Sequence, residues 1–378
     1  MRVLVFTGKG GVGKSTLAAA TAVHAAHTDH RTLLLSADPA HTLPDLIAAR
    51  EGLDLHLIDV ADRRAATWGV IEGYLANLFV ELGIDHVEAQ ALTNLPAVDD
   101  VLALLDVAAV VRSDSWDVVV VDAPPTAETM RLLTLPEALA TLLRKLGTTR
   151  SALARLVIDV PMPRPEVFVA LDELMAELME LRALLTGPMT SLRVVTTADQ
   201  VVLAESRRIV TALTLHGYRI DAVIANRVFN GDGADPWRAT WAERQEKQIA
   251  LLAQELPGVP VLIGVYQEDE PVGDDDLLRF AGSVYHDRDP LDILGVAPGH
   301  RWYPTDEGYE YVVPMPYAQR VSVRCSRVDD DLVIETSGAK RTFGLPPVLR
   351  RCVITTAAWN QDSLYIRFVP NLELWPST

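Results

Sequence analysis

The chain alternates short, continuously apolar runs with longer segments whose apolar residues recur every three or four positions. The runs at 2–6, 31–36, 117–121, 192–197, 220–225 and 260–265 are too short for buried helices and too uniformly apolar for half-exposed strands. Strands of that kind are covered on both faces, as in a parallel sheet. Between them, Lys14 to about His27 reads as an Ala-rich helix, and 101–111 as an apolar-rich one. Trp68, Ile71, Leu75, Leu78, Phe79 and Leu82 recur at helical spacing. Over 165–186, Leu171, Leu174, Met175, Leu178, Leu181 and Leu185 share one stripe, with Asp172, Glu173, Glu177 and Glu180 mainly off it. This order predicts an α/β fold with a mostly parallel sheet over 1–283. A helical layer is expected at about 66–112 and 140–188. The apolar stripes are explained by core packing; a groove for a hydrophobic client is the other role they allow.

Asp, Pro and Gly accumulate over 284–308, which predicts a linker. Beyond it the period becomes two. Val321, Val323 and Cys325 alternate with Arg320, Ser322 and Arg324, and Leu364, Ile366 and Phe368 with Tyr365 and Arg367. A small all-β sandwich is expected over 309–372.

Composition narrows the class. At 378 residues, 49% of them hydrophobic, the chain can build two domains with a large core. A formal net charge of −17 argues against nonspecific nucleic-acid binding. No apolar run reaches 18 residues, so no integral membrane segment is expected. The early first strand leaves no room for a signal peptide, and two cysteines form no disulfide framework. Together these point to a cytoplasmic protein, or a stromal one if a transit peptide has been removed. The nine histidines form no zinc pattern.

The candidate chemistry is concentrated after the first strand. Gly8-Lys-Gly-Gly-Val-Gly13-Lys14-Ser15 fits G-x-x-x-x-G-K-[ST], between a strand and a helix as a phosphate-binding loop requires. Gly10, Gly11 and Gly13 let backbone N–H groups turn onto phosphate oxygens at the positive helix end. Lys14 supplies a charge for the β- and γ-phosphates and Ser15 a hydroxyl for Mg²⁺. Gly8, Lys9, Val12 and Thr16 complete the nucleotide-contacting set. Asp38, Asp122, Asp199 and Asn226 each follow a strand, where α/β ligand sites lie. Asp38 and Asn226 also suit ordinary turns, whereas Asp122 suits a carboxylate behind a metal. An amide such as Asn226 can pair with both donor and acceptor edges of adenine.

Lys9 is an extra lysine. Lys9-Gly-Gly-Val-Gly-Lys-Ser15 resembles the deviant Walker A motif KGGxGK[ST] of a family with arsenite-pump ATPases, tail-anchored-protein targeting (GET-pathway) ATPases, MinD/ParA-type ATPases and nitrogenase iron protein. The resemblance implies that Lys9 reaches the nucleotide of a partner subunit, in a homodimer closing on ATP. Ser36-Ala-Asp38-Pro-Ala-His41-Thr-Leu-Pro-Asp45 resembles switch I, implying that Asp38 activates water and shares in Mg²⁺ binding. Asp122-Ala-Pro-Pro-Thr126-Ala-Glu-Thr129 resembles switch II, with Ala127 for the usual Gly and Glu128 for the usual His. Leu95-Pro96-Ala97-Val98-Asp99-Asp100 resembles L-P-G-x-x-E. The segments around Asp199 and Asn226 resemble late nucleotide-contacting segments, implying that Asn226 reads adenine and Asp199 faces nucleotide. Glu270-Pro-Val-Gly273 is similar to a closing E-P-x-G loop. Where the eukaryotic targeting ATPases carry a zinc-binding CxxC, this chain has Trp237-Arg-Ala-Thr-Trp241. Leu332-Val-Ile334, Arg341-Thr-Phe343-Gly-Leu345-Pro346 and Leu364-Tyr-Ile366 resemble the α-crystallin (small heat-shock protein) domain. The resemblance as a whole implies Mg²⁺-dependent ATP hydrolysis that opens and closes a homodimer carrying hydrophobic, tail-anchored-like clients. An arsenite-efflux motor and a MinD/ParA-like positioning ATPase are the alternatives.

Overall fold

A computed structural model describes residues 1–37, 42–58, 68–81, 85–86, 97–112, 115–123, 165–318, 322–336, 340–360 and 362–373. Asp38, most of switch II including Ala127 and Glu128, Leu95, Pro96 and the 140–164 part of the expected helical layer lie outside the described residues.

Seven strands form one sheet: β1 (Arg2–Gly8), β2 (Thr32–Ser36), β3 (Leu53–Leu57), β4 (Val118–Asp122), β5 (Thr190–Thr197), β6 (Ile220–Val228) and β7 (Val261–Val265). Their order is β3-β2-β4-β1-β5-β6-β7, and every pair is parallel. The chain leaves β1 towards β2 on one side and later reaches β5 on the other. The crevice at a strand end where the order reverses is where such sheets bind ligands. Only β3 was not expected from sequence. It is an edge strand whose Asp54 and His56 are polar, so it lacks the continuous apolar run.

Alternation along the strands separates two cores. Val3, Val5, Leu33, Leu35, Val119 and Val121 pack with helices α4 (Ala97–Val111), α5 (Pro165–Leu185) and α6 (Gln200–Leu215). Leu4, Phe6, Leu34, Val120 and Ile224 pack with α1 (Lys14–His27), the short α2 (Leu43–Leu46) and α8 (Asp274–Tyr285). Helices α3 (Gly69–Glu81) and α7 (Pro236–Gln254) complete this part among the described residues. On the stripe of α5, Leu174, Leu178, Leu181 and Leu185 are all below 5% exposed. Uncovering four such side chains would cost roughly 6–12 kcal/mol, as much as a domain's whole stability. The stripe is therefore core. Among the described side chains, the large apolar residues that α5 shows to solvent are Val169 and Met179.

The C-terminal part is all-β. One antiparallel sheet holds β10 (Arg324–Val328), β11 (Asp331–Glu335) and β12 (Lys340–Gly344). The other, ordered β13-β14-β9-β8, holds β8 (Arg301–Thr305), β9 (Gly308–Pro314), β13 (Cys352–Asn360) and β14 (Ser363–Pro370). Leu332, Ile334, Phe343, Leu345, Leu364 and Ile366, the apolar residues of the three crystallin-like motifs, lie together in its core. Strand β8 falls inside the span expected as linker. It is an edge strand with four of five residues exposed, so it carries no alternating signal.

The segment between α8 and β8 is clamped rather than slack. Asp221, fully buried, takes Arg2 Nη2 at 2.9 Å and Arg193 Nε at 3.1 Å. Further donors of the same guanidinium groups reach Leu291 O (2.8 Å) and Pro290 O (2.7 Å). One carboxylate facing two cations is tolerable here because backbone carbonyls take the surplus donors.

The two parts meet at the end of α6. His300 Nε2 lies 3.1 Å from Thr214 O, Arg341 donates to Leu215 O, and Leu215 belongs to the β-domain core. The last carbonyls of the helix thus find partners in the neighbouring domain. Buried at this seam, the His216 imidazole is pulled down to about 3, first by burial and then by Arg341, Arg182 and His300. His300 is pulled down to about 4 by burial and Arg341.

Both imidazoles therefore stay neutral in the folded protein where an unfolded chain, with pKa near 6.5, takes up protons. Their contribution to stability is complete above about pH 6.5 and is lost as pH falls towards 4, with a slope approaching about 2–3 kcal/mol per pH unit. Urea unfolding between pH 7.5 and 4.5 should show this loss, and His300→Gln should remove about half of the histidine slope. An identical pH dependence for the two proteins would contradict the assignment.

Candidate functional site

The loop between β1 and α1 sits at the carboxyl end of the central strand. Gly8 ends β1, Gly10 and Gly11 are exposed, and Val12 is buried in the α1-side core. Gly13 is left-handed, φ 95°, as the residue preceding the helix. No acidic side chain stands in the first turn of α1, so its positive end is not neutralised from within. Lys14 is buried with Nζ 3.4 Å from Lys9 O, folded over the loop. Ser15 and Thr16 are half-buried beside it.

Asn226 is built into this loop from the far side of the sheet. The β6–β7 register slips between Ala225 and Val228, and Arg227 takes φ 58°. This bulge turns Asn226 under the loop. Its Nδ2 donates to Val12 O at 2.9 Å, and the residue is 5% exposed. The carbonyl partner fixes which end of the amide is nitrogen. A Cβ on Gly13 would collide with Nδ2, and one on Gly264 of β7 with Oδ1. Glycine on both sides is what lets the amide fit, leaving one N–H and the Oδ1 lone pairs for a ligand.

Asp122 ends β4, fully buried, in register with Phe6 of β1 and Ser36 of β2. Its carbonyl accepts from Ala37 N at 3.0 Å, and Ala123 N donates to Phe6 O at 3.1 Å. The three strand ends are thereby stitched together next to the loop. A Ser15 hydroxyl and an Asp122 carboxylate are hard oxygen groups of the kind Mg²⁺ takes, so the residues fit that ion.

A cleft of about 320 Å³ opens beside the loop, lined by Gly13, Thr16, Asn226 and the 265–271 segment after β7. Asp199 is not in it. That residue precedes α6, accepts from Thr197 Oγ1 at 2.7 Å, and lines a second cleft with Trp241 and Arg244. Lys9 Nζ is paired with Glu205 Oε2 of α6 at 3.1 Å, both partly exposed.

Residues 1–286 match the family model described as anion-transporting ATPase. This chain belongs to that family. Residues 306–368 match the HSP20-like domain found in ArsA, in agreement with the β-sandwich. A putative arsenical pump-driving ATPase of Prosthecochloris vibrioformis is 28% identical over 97% of this chain and 96% of its own. An uncharacterized protein of Streptomyces coelicolor is 31% identical over 100% of this chain and 99% of its own. ATPase get3 of Aspergillus terreus is 26% identical over 76% of this chain and 91% of its own. The chain is thus a nucleotide-binding ATPase with an α-crystallin-like domain. Among its described residues no helix is long and apolar enough to cross a membrane.

Three features of the site were not read from sequence. The Asn226–Val12 bond spans 214 positions, so no local pattern announces it. The pairing of Glu205 with Lys9 joins residues 196 positions apart and has no local signal either. The loop after β7 was noted for its E-P-x-G string but not placed beside the phosphate loop.

The Asn226 packing makes a specific prediction. Gly264→Ala should push the amide off Val12 and weaken nucleotide binding at least tenfold, while destabilising the fold by about 1–3 kcal/mol. Calorimetric titration with ATP checks it, and wild-type affinity would contradict it.

Proposed function

We propose that this ATPase uses Mg²⁺-dependent ATP hydrolysis to open and close a homodimer that carries hydrophobic, tail-anchored-like protein clients. The observation that carries the nucleotide half is the loop itself, preshaped by Asn226 at the end of a parallel strand and flanked by Ser15 and buried Asp122. The glycines from Gly8 to Gly13 and the α1 N-terminus hold the phosphates, Lys14 pairs with the β- and γ-oxygens, and Thr16 closes the cleft wall. Ser15, backed by Asp122, would hold Mg²⁺, which supplies charge neutralisation at the phosphates. Asp38 positions the attacking water; it follows Ala37, which is fixed to Asp122. Asn226 offers its remaining N–H and Oδ1 to adenine; Asp199, which lines the second cleft, is given no contact to it.

The homodimer is inferred from Lys9. Its ammonium is partly exposed and, among the described residues, tied by an ion pair to Glu205, an interaction of the weak surface kind. It is free to exchange Glu205 for a partner's phosphate at small cost. The client half rests on Val70 and Val80 of α3 with Val169 and Met179 of α5, apolar side chains exposed on helices that pack together. An arsenite-efflux motor is the second reading, favoured by the name of the Prosthecochloris vibrioformis relative. Soft As(III) prefers clustered thiolates. Both cysteines, Cys325 and Cys352, lie in the β-domain, where burial raises both thiols above their ordinary range.

In mixed dimers, a Lys9→Ala subunit should lower hydrolysis by its wild-type partner, giving well under half the wild-type rate. A value of one half would place Lys9 in its own subunit's site. Asp38→Asn should bind ATP yet turn over at least 100-fold slower; near-normal turnover would remove it from the reaction.

A purified protein with a C-terminal apolar anchor of about 20 residues tests the client role. It should stay soluble with this chain and ATP and precipitate without them. Precipitation in both cases, with hydrolysis stimulated by arsenite, would favour the second reading.

A further inference from the structure

The aromatic residues beside the cleft have no part in the site described so far. Tyr266 is the first residue after β7, lines the cleft with Gly13 and Asn226, and remains 55% exposed. Its position is fixed twice. The backbone N–H donates to Val228 O at 2.8 Å, continuing the sheet past the bulge. The ring stacks on Phe229, with centroids 5.5 Å apart and planes 17° from parallel. Phe229 is held in turn, since its N–H donates to Gln245 Oε1 at 2.8 Å and Trp237 meets its ring edge-on at 6.0 Å.

An exposed tyrosine on a loop normally loses rotamer freedom when it binds something. Here Phe229 and Trp237 have already ordered it, so a flat ligand arriving in the cleft meets a preorganised surface. Aromatic rings favour offset stacking on other π-systems, and every nucleobase offers such a face. The chemistry that matches a backed aromatic ring next to a phosphate loop is a base joined to a chain of phosphates.

We propose that Tyr266 is the stacking platform for the base of the bound nucleotide, extending the Trp237–Phe229–Tyr266 array by one further ring. This rests on the reading of the cleft as the nucleotide site. Stacking on one ring is worth roughly ten- to hundredfold in affinity. It grows with ring area and ignores the hydrogen-bonding edge. Tyr266 therefore favours purines over pyrimidines and does not separate adenine from guanine, a distinction left to Asn226.

The test uses the full-length protein and two probes, Mg-ATP and inorganic tripolyphosphate, which has the phosphates but no base. Tyr266→Leu should weaken ATP binding ten- to hundredfold and leave tripolyphosphate unchanged. Tyr266→Phe should keep ATP within about threefold of wild type, because the π face is retained. ATP and GTP should suffer alike from the leucine substitution, and CTP less. Fluorescence of ethenoadenosine triphosphate, quenched by stacking, should recover in Tyr266→Leu. Phe229→Leu, which removes the backing ring, should give an intermediate loss of ATP. The proposal is overturned if Tyr266→Leu binds ATP as wild type does, or if it loses ATP and tripolyphosphate equally. A wild-type protein that binds neither probe would instead overturn the nucleotide site itself, and the platform with it.

Discussion

The hydrogen bond from Asn226 to the Val12 carbonyl holds the site together. It is one bond, worth about 0.5–1.5 kcal/mol net. Its loss would leave a carbonyl with little solvent to turn to, at a cost of about 1–3 kcal/mol, so geometry magnifies its importance. The bond joins β6 to the loop after β1, two elements separated by β5. It is possible only because Gly13 and Gly264 leave room for the amide and the Arg227 bulge aims it. Three strands, two glycines and one strained residue thus converge on the shape of the phosphate loop, and the cleft beside it exists because they do.

Helix α6 ties that loop to the rest of the molecule. Glu205, near its beginning, holds Lys9. Leu215, at its end, sits in the core of the β-domain, and the carbonyls of Thr214 and Leu215 are capped by His300 and Arg341. Ten residues of helix separate the two, about 15 Å. The linker is fixed independently, through Arg2, Arg193 and Asp221 at the opposite ends of the same strands. The β-domain is thus packed on the end of the helix that holds Lys9, and the segment leading into it is clamped separately.

Much of this was legible in the residue pattern, for definable reasons. Five of the seven sheet strands, β1, β2, β4, β5 and β6, are covered on both faces, and double burial leaves a largely apolar run; the edge strand β7 is apolar in sequence although Ile263 is exposed. The phosphate loop is local, so eight adjacent residues state it, and the L-x-I repeats mark the β-domain core. What escaped was either edge or long-range. Strands β3 and β8 have one neighbour each and polar or exposed residues, so periodicity is silent on them. The α5 stripe reads as core from its spacing, and burial of Leu174, Leu178, Leu181 and Leu185 bears that out. Asn226 was singled out as an adenine contact, whereas its bond to Val12 depends on a bulge and two distant glycines that no local window contains.

Backbone order parameters across residues 8–17 of the nucleotide-free protein test the central claim most directly. A loop preshaped by Asn226 should be as ordered as the flanking β1 and α1 before any nucleotide is added, and Asn226→Ala should lower the order of the loop while the β1 and β6 cores keep theirs. A loop equally disordered in wild type and variant, and ordered only by ATP, would show that the ligand and not the sheet shapes the site.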